Sequence, residues 1–305
     1  MDKILLIDTM NAIWRAAFSF SKKDQPHAVC ADACSHEQAS VHCVCSKEWD
    51  LEQDKCSLVV SEDYVIIYNF FRNLCPLIRL FSPEKCFFVL EGRPQFRYDL
   101  LSTYKSSRII KNASPNKQKV LRSADDIINL LQYFPVTICR AANYEADDLV
   151  GSLCENMKDE DITIISNDSD FIQLLQRGYK SIRIYNPIKK EMMEAPSYPH
   201  IAWKSINGDT SDDIPSLMTP KKAEKIVSDP KLFAKFMSIE ENRANFSINR
   251  QLIELRSVPD DEIIIQEGIR DFNSLKKEFS KMKFQSIIND KSWKTFCETF
   301  DCLIY

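Results

Sequence analysis

Short apolar runs and helical patterns alternate over the first 205 residues of the chain. Six runs have the length of strands, and they cover residues 4–7, 86–90, 135–138, 162–165, 182–184 and 191–193. Continuous apolar runs of this kind are typical of parallel strands that are buried on both faces. Helical spacing follows at 11–20 and 64–80, and a further helix is expected from about Tyr144. The pattern predicts an α/β fold whose central, mostly parallel sheet is flanked by helices.

The pattern changes beyond Trp203, where the chain becomes helical and lysine-rich with few strand signals. We therefore expect an α/β domain at residues 1–205 and a smaller helical region at residues 206–305. With 305 residues, 44% of them hydrophobic, the chain can bury a sizeable core. No apolar stretch approaches the roughly 20 residues that cross a bilayer. The N-terminus begins at once with a strand and shows no signal-peptide pattern, so we expect a cytoplasmic protein, in the host cytoplasm if it is viral.

The cysteines fall into two groups. Six lie singly in apolar surroundings, as reduced and buried thiols do, and these are Cys75, Cys86, Cys139, Cys154, Cys297 and Cys302. The other five share residues 27–56 with three of the four histidines. This density could ligate zinc, but the spacings match no common structural zinc pattern. An inserted surface loop is the favoured interpretation of the segment, and zinc is not expected there.

Acidic residues follow three of the apolar runs. Asp8 and Glu91 stand directly after their runs, and Asp168 follows its run after Ser166 and Asn167. In an open parallel sheet the ligand crevice lies outside the carboxyl ends of the strands, so carboxylates from distant parts of the sequence can converge there. A convergence of this kind requires cations.

Three short segments, one of which contains Asp168, extend this set of acids. Their acids are, in chain order, Glu145, Asp147 and Asp148, then Asp168 and Asp170, then Asp209, Asp212 and Asp213. Each segment alone could cap a helix or form a turn. Capping needs only one acid, however, and the three crowded acids of residues 145–148 repel one another, which favours metal binding over capping there.

The ligand type indicates which metal is bound. Carboxylates with no histidine nearby select Mg2+ or Mn2+ rather than zinc or iron. Two such ions about 3.5 to 4 Å apart are the usual arrangement for in-line attack of water on a phosphodiester. The inferred substrate is therefore nucleic acid.

A basic segment begins just after Glu91. Residues 93–122 contain eight basic residues and one acid, a local net charge of +7 in a chain whose net charge is −4. The basic residues are Arg93, Arg97, Lys105, Arg108, Lys111, Lys117, Lys119 and Arg122. Phe96, Tyr98 and Tyr104 lie among them, and basic residues interleaved with aromatics suit a groove that binds a nucleic-acid strand. A solvated charged loop is the alternative, and the position after Glu91 favours the groove.

Taken in order, these motifs resemble the 5′-to-3′ exonuclease and flap endonuclease family, in its compact bacteriophage form without a polymerase domain. The matching residues are Asp8, Asn11 and Arg15, then Glu91-Gly92-Arg93-Pro94 with Phe96-Arg97, then Tyr104-Lys105 with Arg108, then residues 144–148, then Asp168 with Asp170, and finally Gly208-Asp209 with residues 212–215. The match runs from residue 1 to about residue 227. The resemblance implies a PIN-like 5′ nuclease fold with a helical arch at residues 93–122.

The resemblance also implies a role for individual residues. One metal ion would be held by Asp8, Glu91, Glu145, Asp147 and Asp148, and a second by Asp168, Asp170, Asp209 and Asp212. The ions would be Mg2+, with Mn2+ as a substitute. Lys105 and Arg108 would act as catalytic residues at the scissile phosphate. Further nucleic-acid contacts would come from Arg93, Arg97, Tyr104, Lys111, Lys221 and Lys222.

Three features depart from the family pattern. Glu91 stands where the family usually has aspartate, which keeps the charge and adds a methylene. Residues 215–222 replace a glycine-rich helix-hairpin-helix that holds duplex DNA with a potassium ion, and the missing glycines argue against a K+ site here. The Cys/His-rich segment 27–56 is longer than the link that the family places between its first two helices.

The expected function is that of a metal-dependent, structure-specific 5′ nuclease that hydrolyses DNA flaps or RNA primers in replication. The expected ligands are branched or 5′-ended DNA and RNA/DNA hybrids. A single-stranded-DNA-binding protein or a polymerase stays open as a partner, and we expect a monomer without a membrane partner. Two alternatives remain: a PIN-like ribonuclease, and a flap-binding protein that has lost catalysis through Glu91. The basic segment and Gly208-Asp209 argue against the first, and the other carboxylates argue against the second.

Overall fold

The computed structural model describes residues 1–18, 49–50, 55–56, 64–108 and 115–304. Its strands are β1 (Lys3–Asp8), β2 (Trp49–Asp50), β3 (Lys55–Cys56), β4 (Lys85–Leu90), β5 (Thr137–Ala141), β6 (Asp161–Ile165), β7 (Ile182–Asn186), β8 (Glu191–Met192) and β9 (Ile263–Glu267). Its α-helices are α1 (Thr9–Phe18), α2 (Val65–Phe81), α3 (Gln95–Leu100), α4 (Pro115–Leu131), α5 (Ala146–Asn156), α6 (Ile172–Leu175), α7 (His200–Asn207), α8 (Pro220–Ser228), α9 (Pro230–Met237), α10 (Glu240–Ile253), α11 (Phe272–Lys281), α12 (Gln285–Ile288) and α13 (Asp290–Thr299).

Seven strands form one sheet in the order β8-β7-β6-β1-β4-β5-β9. The five inner strands are parallel, and the edge strands β8 and β9 run antiparallel to their neighbours. All six strand-length runs of the sequence lie within or overlap strands of this sheet, so the predicted mostly parallel α/β fold is confirmed. β2 and β3 form a separate antiparallel pair. Among the described helices, none is both long enough and apolar enough to cross a membrane.

Apolar cores lie on both faces of the sheet, because successive side chains of a strand point to opposite faces. In β1, Leu5 and Ile7 belong to one core, and Ile4 and Leu6 belong to the other. The first core contains residues of α1, α2, α4 and the C-terminal helices α11–α13. Phe134 lies within it, with its ring centroid 5.3 Å from that of Phe71 and 4.9 Å from that of Phe300. The sheet is thus covered on both sides, which explains the continuous apolar runs.

The C-terminal part of the chain departs from the expected division at residue 206. That boundary falls inside α7, and α7 to α10 share a small core that includes Ile206, Phe236 and Phe246. Residues 263–267, which lie in a region expected to be helical, instead add β9 to the sheet beside β5. Helices α11 to α13 then pack into the first core. Pairing with β5 and burial against the sheet determine the structure of these residues, and the division into two domains stays a prediction.

Two predictions fall outside the described residues. One is the prediction that zinc is not bound by segment 27–56, of which the structure describes only the backbone of β2 and β3. The other is Lys111, together with its neighbours at 109–114 in the expected arch.

Candidate active site

The sheet brings three of the expected acids to one edge. Asp8 ends β1, whose neighbours in the sheet are β4 and β6. Glu91 directly follows β4, and Asp168 follows β6 after two residues. The N-terminus of α5 reaches the same place, because the backbone N–H of Ala146 donates to Glu91 Oε2 at 3.2 Å. The carboxyl ends of distant strands therefore converge as the topology requires.

Local geometry fixes two of these positions. Asp8 accepts a hydrogen bond from the backbone N–H of Asn11 at 3.0 Å and another from Ser166 Oγ at 3.2 Å. Gly92 lies so close to the next strand that a Cβ atom there would be 2.0 Å from the Ala141 carbonyl oxygen. Only glycine therefore fits after Glu91, which explains the Glu-Gly pair.

The acids at this edge lie close enough to influence one another's ionisation. Burial is the main reason that the pKa of Asp8 rises to about 6, and the charge of Asp168 raises it further. The pKa of Asp147 also lies well above its ordinary value, because of burial and then because of Asp168, Asp8 and Glu91. Each carboxylate raises the pKa of its neighbours when all are negative. Cations bound beside these acids would stabilise their charged form.

A second acidic group lies beside the first. Asp170, Asp209 and Asp212 each offer a carboxylate oxygen within 4.8 Å of the others. Lys204 of α7 is buried among them, and its Nζ bonds to Asp170 and lies 2.7 Å from Asp209 Oδ2. Burial alone would raise the pKa of Asp209, but Lys204 holds it below its ordinary value.

Lys204 is a residue of the site that sequence reasoning missed. It lies in the helix that ends just before Gly208-Asp209, but the chain is rich in lysine beyond Trp203 and nothing distinguishes this one by spacing. The available clue is weak: a lysine that precedes an acid-rich loop by less than two helical turns can reach the acids of that loop.

Gly208 shapes the loop that carries Asp209 and Asp212. It has φ 73° and ψ −175°, a region that is almost exclusive to glycine. A Cβ atom there would lie 2.6 Å from the Pro215 carbonyl oxygen. The loop closes through paired backbone hydrogen bonds between Asp209 and Ile214, at 3.0 and 2.8 Å. Backbone geometry therefore requires the glycine of the Gly-Asp motif.

The basic segment joins the two acidic groups through Lys105. Its Nζ bonds to Glu145 and lies 3.6 Å from Asp212 Oδ2, and its backbone N–H donates to the Asp212 carbonyl at 3.0 Å. Burial lowers the pKa of Lys105, but the charges of Glu145 and Asp212 outweigh burial and raise it, so the amine is charged. Its φ of 53° is an unusual, left-handed conformation for a lysine. The Arg108 guanidinium bonds to the carboxylate of Asp212 from a more exposed position.

Asp148, which was expected to bind a metal ion, is instead buried in an ion pair with Arg97. It is 0% exposed, and both of its oxygens accept hydrogen bonds from the Arg97 guanidinium. The backbone N–H groups of Glu145 and Arg256 donate to it as well. Its lone pairs are thus already used, and we assign it to holding the N-terminus of α5 instead of to direct metal binding.

Two expected nucleic-acid contacts are also corrected by the structure. Arg97 is 2% exposed, and besides Asp148 its Nε donates to the Leu252 carbonyl at 2.9 Å. Tyr104 is buried, and its hydroxyl shares its one proton between two acceptors, Glu145 at 3.0 Å and Asp212 at 3.3 Å. Both side chains support the acidic groups from within the protein. The sequence could not distinguish them from surface residues, because a basic segment shows its charge but not its burial.

The remaining expected contacts lie on the surface. Arg93 is exposed, with its guanidinium carbon 5.6 Å from the centroid of the Tyr98 ring. Lys221 and Lys222 are exposed in the first turn of α8, which follows the loop at residues 215–219. The backbone N–H groups of Leu217 and Met218 in that loop both reach the Ile206 carbonyl. These three basic residues remain accessible, and their contacts with nucleic acid stay predictions.

Comparisons with known proteins agree with this architecture. A bacteriophage T5 protein crystallised with metal ions has a similar fold, with a TM-score of 0.55 at 15% identity over 97% of this chain and 98% of that chain. A bacteriophage T5 flap endonuclease variant in a pseudo-enzyme-product complex with DNA and metal ions has a TM-score of 0.56 at 14% identity, covering 97% of each chain. At such identity the likeness shows the fold alone.

The sequence comparisons show the family. The 5′-3′ exonuclease of Mycobacterium tuberculosis is 29% identical over 154 residues, which are 42% of this chain and 48% of that protein. The chain therefore matches about half the length of that curated relative. The model of the 5′-3′ exonuclease N-terminal resolvase-like domain matches residues 3–200, which include all three acidic strand ends and the start of α7. The chain belongs to the 5′-3′ exonuclease family.

Proposed function

We propose that this chain is a divalent-metal-dependent 5′ nuclease that hydrolyses phosphodiester bonds as a 5′-3′ exonuclease and flap endonuclease. One observation carries the proposal: Lys105 lies between two groups of carboxylates, in contact with Glu145 and near Asp212. A site that gathers acids for cations and also holds a fixed basic side chain suits a substrate that is itself an anion. Phosphate oxygens have this character.

The residues present fit two divalent ions. The donors are carboxylates, with no thiolate or imidazole among the expected ligands, which suits Mg2+ or Mn2+. We propose Asp8, Glu91, Glu145 and Asp147 for one ion, and Asp168, Asp170, Asp209 and Asp212 for the other. The chemistry that bound ions supply in such sites is activation of water and stabilisation of the leaving oxygen.

Protein side chains have separate tasks in this proposal. Lys105 and Arg108 bind the scissile phosphate and stabilise the charge that develops on it. Arg97, Tyr104 and Asp148 are positioning residues. Their hydrogen bonds set the positions of Glu145, Asp212 and the first turn of α5. Arg93, Lys221 and Lys222 bind more distant phosphates. DNA is the proposed substrate because the T5 relative of similar fold is described as a flap endonuclease in complex with DNA.

Cleavage of a 5′-labelled flap duplex tests the proposal. The assay compares the wild type with Asp147→Asn, which removes a proposed metal ligand, and with Asp159→Asn, an exposed aspartate outside the site. We expect cleavage near the flap junction in Mg2+ for the wild type and Asp159→Asn, and none with EDTA. For Asp147→Asn we expect almost no cleavage, with flap binding within a few-fold of the wild type.

Two results would overturn the proposal. Cleavage of single-stranded RNA in preference to the flap would identify a ribonuclease. Tight flap binding without cleavage by the wild type, in either Mg2+ or Mn2+, would identify a binding protein.

A further inference from the structure

The two edges of the main sheet are built differently. β8 at one edge has only two residues, which is one of the ways in which proteins keep edge strands from pairing with other chains. β9 at the other edge has five residues, Ile263 to Glu267, and contains neither lysine nor proline. Among the described residues, no strand pairs with its outer side. The outer backbone groups of β9 are therefore available for hydrogen bonds.

The side chains of this edge are unusually apolar for a surface strand. Ile264 is 62% exposed, Ile265 is 57% exposed, and Ile269 just beyond the strand is 71% exposed. The strand is firmly held on its inner side, because it pairs with β5 along its length and Gly268 N–H donates to the Val136 carbonyl at 2.8 Å. A fixed, apolar, unpaired edge is a ready template for another strand.

Charge indicates what kind of strand would bind. Residues 259–269 include four acids, Asp260, Asp261, Glu262 and Glu267, and no basic residue. The acids flank the isoleucines at both ends. Arg140 of β5 lies opposite Ile264, and the edge is still net negative. A second copy of β9, paired antiparallel, would place acids against acids at each end.

We propose that the outer edge of β9 binds an extended segment of a partner protein as an added antiparallel strand. The segment has apolar residues at alternate positions, which contact Ile264 or Ile265, and lysine or arginine at both ends, which pair with the acids of residues 260–262 and 267. Backbone hydrogen bonds supply affinity, and the flanking charges supply the choice of partner.

Fluorescence anisotropy with short labelled peptides tests this binding on the full chain. The probe is a peptide of alternating valine and threonine with two lysines at each end. A second probe carries glutamates in place of the lysines, and a third has proline at alternate positions. Ile265→Lys places a charge on the strand edge, which should hinder pairing with another strand. Ile239→Lys is the control, because Ile239 is 53% exposed and lies outside the sheet. Asp261→Lys reverses one of the flanking charges.

We expect the lysine-flanked probe to bind the wild type and Ile239→Lys equally, and Ile265→Lys at least about tenfold more weakly. The proline probe should not bind, and Asp261→Lys should weaken the lysine-flanked probe and strengthen the glutamate-flanked one. Flap cleavage should be unchanged in Ile265→Lys, which also shows that the variant is folded. Equal binding of all probes, or binding that Ile265→Lys leaves intact, would overturn the proposal. So would a chain that binds no probe but forms a dimer that Ile265→Lys disrupts.

Discussion

Replacing Arg97 by methionine distinguishes a buried support from a nucleic-acid contact. Methionine fills much of the same space without the charge, so the main loss is electrostatic. In the native structure the guanidinium forms two hydrogen bonds to Asp148, one to the Leu252 carbonyl and an ion pair with Glu145 at 3.2 Å. In Arg97→Met the 0% exposed Asp148 keeps its charge but loses its cation.

The size of the effect follows from the groups left behind. Removing one partner of a buried ion pair costs about 3 to 5 kcal/mol, because the other charge stays buried. A buried carbonyl without a donor, here that of Leu252, costs about 1 to 3 kcal/mol more. Asp148 retains two backbone donors, Glu145 N–H and Arg256 N–H, which reduce the loss. We expect the free energy of unfolding to fall by about 4 kcal/mol, a large part of the 5 to 15 kcal/mol typical of domains.

Urea denaturation, followed by circular dichroism and tryptophan fluorescence, measures the change. The matched control is Arg93→Met, which alters an exposed arginine near Arg97 in sequence and should change stability by less than about 0.5 kcal/mol. Adding Asp148→Asn to Arg97→Met removes the lone buried charge and should restore about 1 to 2 kcal/mol. If Arg97→Met were as stable as Arg93→Met and lost only flap affinity, then Arg97 would be a nucleic-acid contact after all.

Three further perturbations address the chemistry, the acids and the backbone. Lys105→Ala should lower the single-turnover cleavage rate by about 100-fold or more while flap affinity changes little, and a pure loss of affinity would make Lys105 a positioning contact. Because the folded-state pKa of Asp8 is raised from 3.8 to about 6, the folded chain binds this proton more tightly than the unfolded chain. Without bound metal, the free energy of unfolding of the wild type should therefore fall by about 3 kcal/mol relative to that of Asp8→Asn as pH rises from about 4 to 6. Parallel pH profiles of the two proteins in EDTA would refute this. Gly208→Ala should cost at least about 2 kcal/mol in urea denaturation, since alanine rarely adopts φ 73°, and unchanged stability would mean that the loop can relax.

The parts of the fold that the sequence predicts well are those with uninterrupted apolar runs. β1 and β6 are buried on both faces, so residues 4–7 are all apolar and Thr163 is the one polar residue of the run 162–165. Their ends are marked by Asp8 and Ser166. Since the sheet is parallel, the acids at those ends had to meet at one edge. This expectation needed only the strand directions and the positions of the carboxylates.

Other features depend on partners that a sequence pattern does not contain. Ile263 to Glu267 becomes a strand because β5 offers it an edge, and this pairing joins residues up to 130 positions apart. Arg97 and Lys204 look like surface residues in the sequence, yet both are buried because carboxylates surround them. In each case tertiary contacts outweigh local preference.

The return of the C-terminal residues to the sheet affects how the chain folds during synthesis. β5 has no outer neighbour until β9 has left the ribosome, and the ring of Phe134 has no contact with Phe300 until the last helix is made. A nascent chain that already contains every proposed metal ligand still has an open strand edge and an unfilled core. Exposed strand edges and apolar surface make such intermediates prone to association with other chains. A fragment ending near residue 255 would therefore retain the residues for the chemistry but lack the scaffold that holds them in place.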